Sequence, residues 1–238
     1  IPRTLILTVY GDMDVSRLIE KPTHRKDIIT LSKPEEKIDE IIFFLKKQIK
    51  NGNQVFWVCP LIEESKKLDY SAAVEKYKYL LKKFDNKVGL IHGNLDKDKK
   101  NNVLNDFLNK SINILVSTTI IEVGIDFPNA NVIIIENSNK FGLSQLHQLR
   151  GRIGRSKQRA YCYLMLSSHS ELSSAAEKRL EVMQAFDSLG AGFTLASHDL
   201  DIRGAGNLLG SEQSGHIREV GVELYQHMLE EVVAEARG

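Results

Sequence analysis

Apolar positions along this chain fall into two kinds of run that alternate. Short stretches that are apolar nearly throughout, "QVFWVC" (54–59), "VGLIHG" (88–93), "INILVST" (112–118), "NVIIIEN" (131–137) and "AYCYLML" (160–166), predict buried strands. Between them, residues 71–84, 96–109 and 143–151 predict helices. A longer helix is predicted over 32–52, "SKPEEKIDEIIFFLKKQIKNG", with Ile38, Ile41, Ile42, Leu45 and Ile49 forming one apolar stripe. Ser32 is its expected N-cap, Pro34 and acidic residues fill the first turn, and Gly52 is the stop. Wholly apolar strands alternating with amphipathic helices describe a parallel sheet covered on both faces, a doubly wound α/β fold.

The pattern changes after residue 167. Residues 173–186 and 220–236 are helical in pattern, the segment between them is glycine-rich, and no comparable strand follows. The expected organisation is therefore an α/β domain over 31–167 and a helical appendage over 168–238, with a loop from Gly204 to Gly215 at its centre. Residues 1–30 are expected to be a linker.

Composition narrows this only a little. With 42% hydrophobic and 26% charged residues, the 238-residue chain has the make-up of a globular protein. No apolar run approaches a membrane span and nothing at the start resembles a signal peptide. Cys59 and Cys162, the two cysteines, lie in apolar runs, which suits buried, reduced thiols in a cytoplasmic protein. A net charge of +1 lends no support to nucleic-acid binding, so such a reading rests on local placement. The chain begins at Ile1 with "IPRTL", as a piece cut from something longer.

Ligands of open α/β sheets sit beyond the carboxyl ends of the strands, and three loops expected there carry chemistry. "IHGNL" (91–95) places His92 and Gly93 directly after a strand. "STTIIEVGIDFPNA" (117–130) follows a strand with Thr118 and Thr119, then Glu122, Gly124 and Asp126. "QLRGRIGR" (148–155) packs Arg150, Arg152 and Arg155 around two glycines. Each also has a plainer reading: an ordinary turn at His92, a helix cap at Thr118 and Thr119, a turn aspartate at Asp126, and surface or structural roles for Arg150 and Arg159. Hydroxyls and amides at helix starts bind phosphate, and glycine-spaced arginines reach phosphate oxygens.

Taken in order, "IHGNL", "STTIIEVGID" and "QLRGRIGR" resemble the later motifs of superfamily-two helicases, carried on the second RecA-like domain. "IIEVGIDFPNANVIIIENSNKFGLSQLHQLRGRIGR" is similar to the RecG and Mfd families, and "IPRTL" resembles the end of the motif that closes their first RecA-like domain. "RLEVMQAF" and "LGAGFTLASHDLDIRGAGNLLGSEQSG" resemble the translocation element those families share, a helical hairpin and loop that grips duplex DNA. The middle of the chain resembles RecG more closely and the tail Mfd.

The resemblance implies an ATP-dependent motor for double-stranded or branched DNA, working in repair and recombination. RecG-like fork remodelling is the first reading and Mfd-like displacement of RNA polymerase the alternative. It implies that Arg152 and Arg155 reach the γ-phosphate of ATP, with Gln148 beside the nucleotide and Gly124 and Asp126 at the edge of the cleft. His92, Gly93, Thr118 and Thr119 would touch a DNA backbone. Arg179, Arg203 and Gln213 would couple translocation. Neither a phosphate-binding G-x-x-x-x-G-K-[S/T] stretch nor an Asp-Glu-x-His stretch occurs in the sequence. The phosphate cradle and the Mg2+ ligands would then lie on a first RecA-like domain outside this chain, and the chain alone would not hydrolyse ATP. A catalytically dead binding scaffold is the competing class.

Overall fold

The computed structural model describes residues 26–60, 66–118, 127–167 and 172–185. Six strands form one sheet: β1 (Ile28–Pro34), β2 (Gln54–Val58), β3 (Val88–Ile91), β4 (Ile114–Ser117), β5 (Ala130–Ile135) and β6 (Ala160–Leu166). Their order is β1-β6-β5-β2-β4-β3, and every pairing is parallel. Five helices connect or cover them: α1 (Ile38–Lys50), α2 (Lys66–Lys83), α3 (Lys97–Leu108), α4 (Leu143–Arg150) and α5 (Ser174–Ala185).

Strand side chains alternate between the two faces, and each face has its own core. On one, Val55, Trp57, Ile114, Val116, Val132 and Ile134 meet Ile41, Ile42 and Leu45 of α1 and Ala73 and Leu80 of α2. On the other, Phe56, Val58, Leu115, Ile133, Ile135 and Leu164 meet Leu104 and Phe107 of α3, the leucines of α4, and Leu180 and Met183 of α5. Central strands β2, β4 and β5 are buried at every position, as a sheet covered on both sides requires. From β2 the chain crosses to the edge strand β3 and returns through β4 beside β2, and from β5 it winds outward through β6. The carboxyl ends of β2 and β5 therefore flank the switch point of the sheet.

The start of the chain departs from expectation. Ser32 does not cap a helix: it lies within β1, paired in register with Leu164 of β6. α1 starts only at Ile38, after a 3₁₀ turn over Glu35–Lys37. The proline that suggested a helix start instead ends an edge strand, where its missing N–H costs no ladder bond.

Candidate nucleotide and DNA-contact site

At the carboxyl edge of the sheet, His92 directly follows β3 and Thr118 directly follows β4. The Thr118 N–H donates to the Ile91 carbonyl at 3.2 Å, which sets these two strand ends side by side. Thr118 is buried, Gly93 is exposed, and the Leu95 N–H closes a turn onto the His92 carbonyl at 3.1 Å. Burial lowers the pKa of His92, so its ring is neutral at pH 7. Phe127 anchors the far end of the β4–β5 connection, edge-on to Phe56 and Phe107 with centroids 5.5 and 5.3 Å away. Thr119, Gly124 and Asp126 fall between these points, outside the described residues.

α4 carries the arginine stretch. The exposed Gln145 side chain turns back to accept from the Gly142 N–H at 2.9 Å, holding the helix start, while Leu143, Leu146 and Leu149 are buried. Gln148 is exposed. Arg150, the last helical residue, is only 3% exposed. Its Nη1 donates to the Met183 carbonyl of α5 at 2.7 Å and to Thr30 Oγ1 of β1 at 3.3 Å; its Nη2 meets His147 Nδ1 at 3.4 Å. Arginine is only a donor, so His147 Nδ1 accepts and the ring is neutral. Burial first, and the Arg150 charge second, lower the His147 pKa accordingly.

Beyond α4 the chain must turn sharply to enter β6. Gly154 makes the turn at φ +72°, and a Cβ there would press to 3.2 Å from Ala160 Cβ and Ile28 Cγ1. Conformation and space both call for glycine. The turn leaves Ile153 buried and Arg155 exposed. Arg152 is half-buried, with its Nε enclosed and without a hydrogen-bond partner among the described residues. On the far side of the turn, Ser156 Oγ donates to Asn131 Oδ1 at 3.0 Å and accepts from the Gln158 N–H at 3.2 Å. Asn131 in turn donates to Asn53, and Asn53 to Gln48, both at 2.8 Å.

This geometry corrects one expectation. The three loops do not share an edge. α4 leaves the carboxyl end of β5 and runs back, so the 151–159 turn precedes β6 at the amino edge, while His92 and Thr118 lie at the carboxyl edge. The length of α4 separates the arginines from the strand-end residues. Arg179 of α5 donates from Nη2 to the Asn139 carbonyl at 3.2 Å, pinning α5 to the turn after β5. Arg203 and Gln213 lie outside the described residues. Arg159 is exposed, as its plainer reading held, whereas Arg150 is deeply structural.

Two functional features were missed in the sequence, one with a faint signal and one with none. Arg150 does repeat the Leu143–Leu146 stripe at helical spacing, which marked it as inward-facing. Glu136, directly after β5, accepts from Trp57 Nε1 at 2.9 Å and pairs with Lys76 of α2 at 2.8 Å. Burial works against the Lys76 charge, but the Glu136 carboxylate outweighs it and raises the pKa. Burial first, and the same carboxylate second, push the nearby Cys59 thiol well up, so it stays protonated. This cluster ties α2 to the switch point, and nothing in single-sequence periodicity pairs residues 60 positions apart.

A six-stranded parallel sheet in this order, with strand-end polar residues at one edge and a glycine-hinged arginine turn after the helix following β5, defines the second RecA-like domain of a superfamily-two helicase. Residues 34–157 match the helicase conserved C-terminal domain, and the chain belongs to that family. Over 90% of its length it is 44% identical to the ATP-dependent DNA helicase RecG of Thermotoga maritima, covering 27% of that protein. It is equally similar to RecG of Bacillus subtilis, covering 31%. The transcription-repair-coupling factor of Myxococcus xanthus is 41% identical over 100% of the chain, which covers 19% of that protein. A RecG structure bound to a three-way DNA junction superposes with a TM-score of 0.71 at 42% identity, over 90% of this chain and 27% of that one. The chain thus spans between about a fifth and a third of the curated relatives it matches.

Proposed function

We propose that this chain is the C-terminal motor half of an ATP-dependent double-stranded DNA translocase that remodels forks or other branched DNA in the manner of RecG. The observation that carries the reading is Arg152. A guanidinium with an enclosed, unpartnered Nε, beside an exposed second arginine on a glycine hinge, fits a site completed by an anion. ATP supplies that anion, and its γ-phosphate is the group the two arginines stabilise as charge develops on the transferred oxygens. Gln148, exposed one turn earlier on α4, orients toward the same nucleotide. The phosphate cradle and the Mg2+ ligands come from a first RecA-like domain. Without it this fragment should not turn over ATP.

At the opposite end of the sheet, His92, Gly93, Thr118 and Thr119 hold one DNA strand by its phosphates, which positions the motor without reading sequence. Gly124 and Asp126 sit in the β4–β5 connection and relate nucleotide state to that grip. Arg179, through the Asn139 carbonyl, fixes α5 to the motor. Arg203 and Gln213 pass domain closure on to the duplex. Buried, unbridged Cys59 and Cys162 suit a reducing, cytoplasmic setting.

An Mfd-like role, displacing stalled RNA polymerase, is the second reading. It is favoured by coverage: the coupling-factor relative spans 100% of the chain, whereas the RecG matches reach 90%.

The decisive experiment uses the complete protein. Arg152→Ala should lower DNA-stimulated ATP hydrolysis by roughly 10³-fold or more, with circular dichroism and duplex binding little changed. Turnover within a few-fold of wild type would make Arg152 a structural residue and remove the support for the nucleotide site.

A further inference from the structure

Six lysines gather on the amino-end rim of the sheet around the starts of β2, β4 and β3, while the arginine turn occupies the same rim farther along, at the start of β6. Lys47 and Lys50 lie in the last turn of α1 and Lys82 and Lys83 in the last turn of α2; Lys87 precedes β3 and Lys110 follows α3. Backbone bonds bring these segments together. The Asn113 N–H donates to the Lys87 carbonyl at 2.8 Å and the Val55 N–H to the Asn113 carbonyl at 2.9 Å, so the starts of β3, β4 and β2 lie in a row. All six lysines are exposed, and no ion pair among the described residues engages any of them. Among the described residues only Asp85 and Asp106 oppose them locally, leaving a clear positive excess on a chain whose net charge is +1.

The contrast with the other rim is instructive. There, Lys33 and Lys37 pair with Glu40 at 3.3 and 2.6 Å, and Lys99 with Asp96 at 3.2 Å. Three lysines at that rim thus carry ion pairs, whereas none of the six at the amino rim does so among the described residues. Helix dipoles favour a cation at each carboxyl terminus, but this accounts poorly for two lysines on each of α1 and α2, and not for Lys87 outside the helices. Lys110 adopts φ +60°, a conformation suited to glycine or asparagine. Local stability does not select lysine there.

We propose that this rim is a second, sequence-independent DNA-contact surface, which takes the phosphate backbone of a duplex arm other than the one the motor tracks. The proposal rests on the translocase reading above. Lysine acts as a point charge that satisfies phosphates without fixed geometry, and the exposed Asn51, Asn86 and Asn109 interleave neutral donors of the kind that contact backbones. The rim presents polar loop ends rather than the buried aromatic anchors on which protein partners depend, which favours nucleic acid over an acidic protein. Strands of four to seven residues place the two rims roughly 13–23 Å apart. A duplex lying along the carboxyl rim therefore leaves the β2–β4–β3 end of the amino rim, beyond the arginine turn at β6, open to another arm.

The test compares wild type with the triple variant Lys82→Gln, Lys83→Gln, Lys87→Gln in the complete protein, on a three-way junction and on a linear duplex, across a salt series. Each lost phosphate contact should flatten the slope of log affinity against log salt by about 0.9. The triple variant should thus lose about 2.7 units of slope and at least tenfold in affinity on the junction. Binding to linear duplex, and the ATPase it stimulates, should stay within twofold, and the matching triple Lys→Arg variant should restore junction binding. An unchanged junction slope would make the rim solvated surface, and equal losses on both DNAs would place it on the tracked path; either overturns the proposal. So would junction binding that persists while binding of poly-glutamate is lost, since the rim would then serve an acidic protein. A wild-type protein whose ATPase no DNA stimulates would instead sink the translocase reading, and this proposal with it.

Discussion

Arg150 is the residue on which the most structure converges. One guanidinium joins α4 to the Met183 carbonyl of α5, to Thr30 of β1 and to His147. Arg150→Ala removes the donor to the buried Met183 carbonyl and to the part-buried Thr30 hydroxyl. It should destabilise the fold by about 2–4 kcal/mol in urea denaturation. Arg150→Lys should recover little, because one ammonium cannot serve donors in three directions. A loss below ~1 kcal/mol would mean the site repacks or hydrates readily. His147 adds a pH dependence. Its folded pKa lies below the usual value of 6.5, so between the two values the unfolded chain binds a proton that the folded chain refuses. Stability should therefore fall as pH is lowered through and below 6.5. His147→Gln should flatten part of that fall in melting experiments at pH 7.5 and 5.5, with the remainder shared by His92, whose pKa is lowered in the same sense.

At the scale of elements, the arginine turn shows how local chemistry serves position. Gly154 lets the chain reverse between Ile153 and Arg155, and Ser156 then ties the turn through Asn131 and Asn53 to Gln48 of α1. Gly154→Ala should cost about 1–3 kcal/mol, from the left-handed conformation and the 3.2 Å contacts with Ala160 and Ile28. It should lower turnover in the complete protein by more than the stability loss explains, since Arg152 and Arg155 flank the hinge. Melting temperature and ATPase measured on one preparation separate the two effects. Strands β2 to β6 were legible because burial leaves them almost uninterruptedly apolar, even β3 at the other edge. β1 was not. As an edge strand with a single neighbour it tolerates Ser32, Lys33 and Pro34, and Ser-x-Pro before acidic residues imitates a helix start. The arginines were legible as residues but not their edge, because which end of a strand a loop occupies depends on the helix that precedes it.

For the whole molecule, the division of labour between the two ends of the sheet sets the remaining expectation. Duplex binding by the complete protein should weaken steeply with salt and vary little with sequence, because every DNA contact proposed here is to phosphate. A preference of more than a few-fold between duplexes of equal length and different sequence would count against that assignment.

The placement of β1 also has a consequence for how the chain reaches this fold. Ile28 pairs with Ala160, about 130 residues later, and β6 is its sole strand neighbour. During synthesis at ~5–20 residues per second, β1 must wait on the order of ten seconds for its partner to be made. Throughout that interval the strand is a free edge beside growing hydrophobic segments. Its polar alternation, with a lysine and a proline at its end, is what keeps such an edge from pairing with another chain. The features that hid β1 from a hydrophobic-pattern reading are therefore suited to protecting the nascent protein from aggregation.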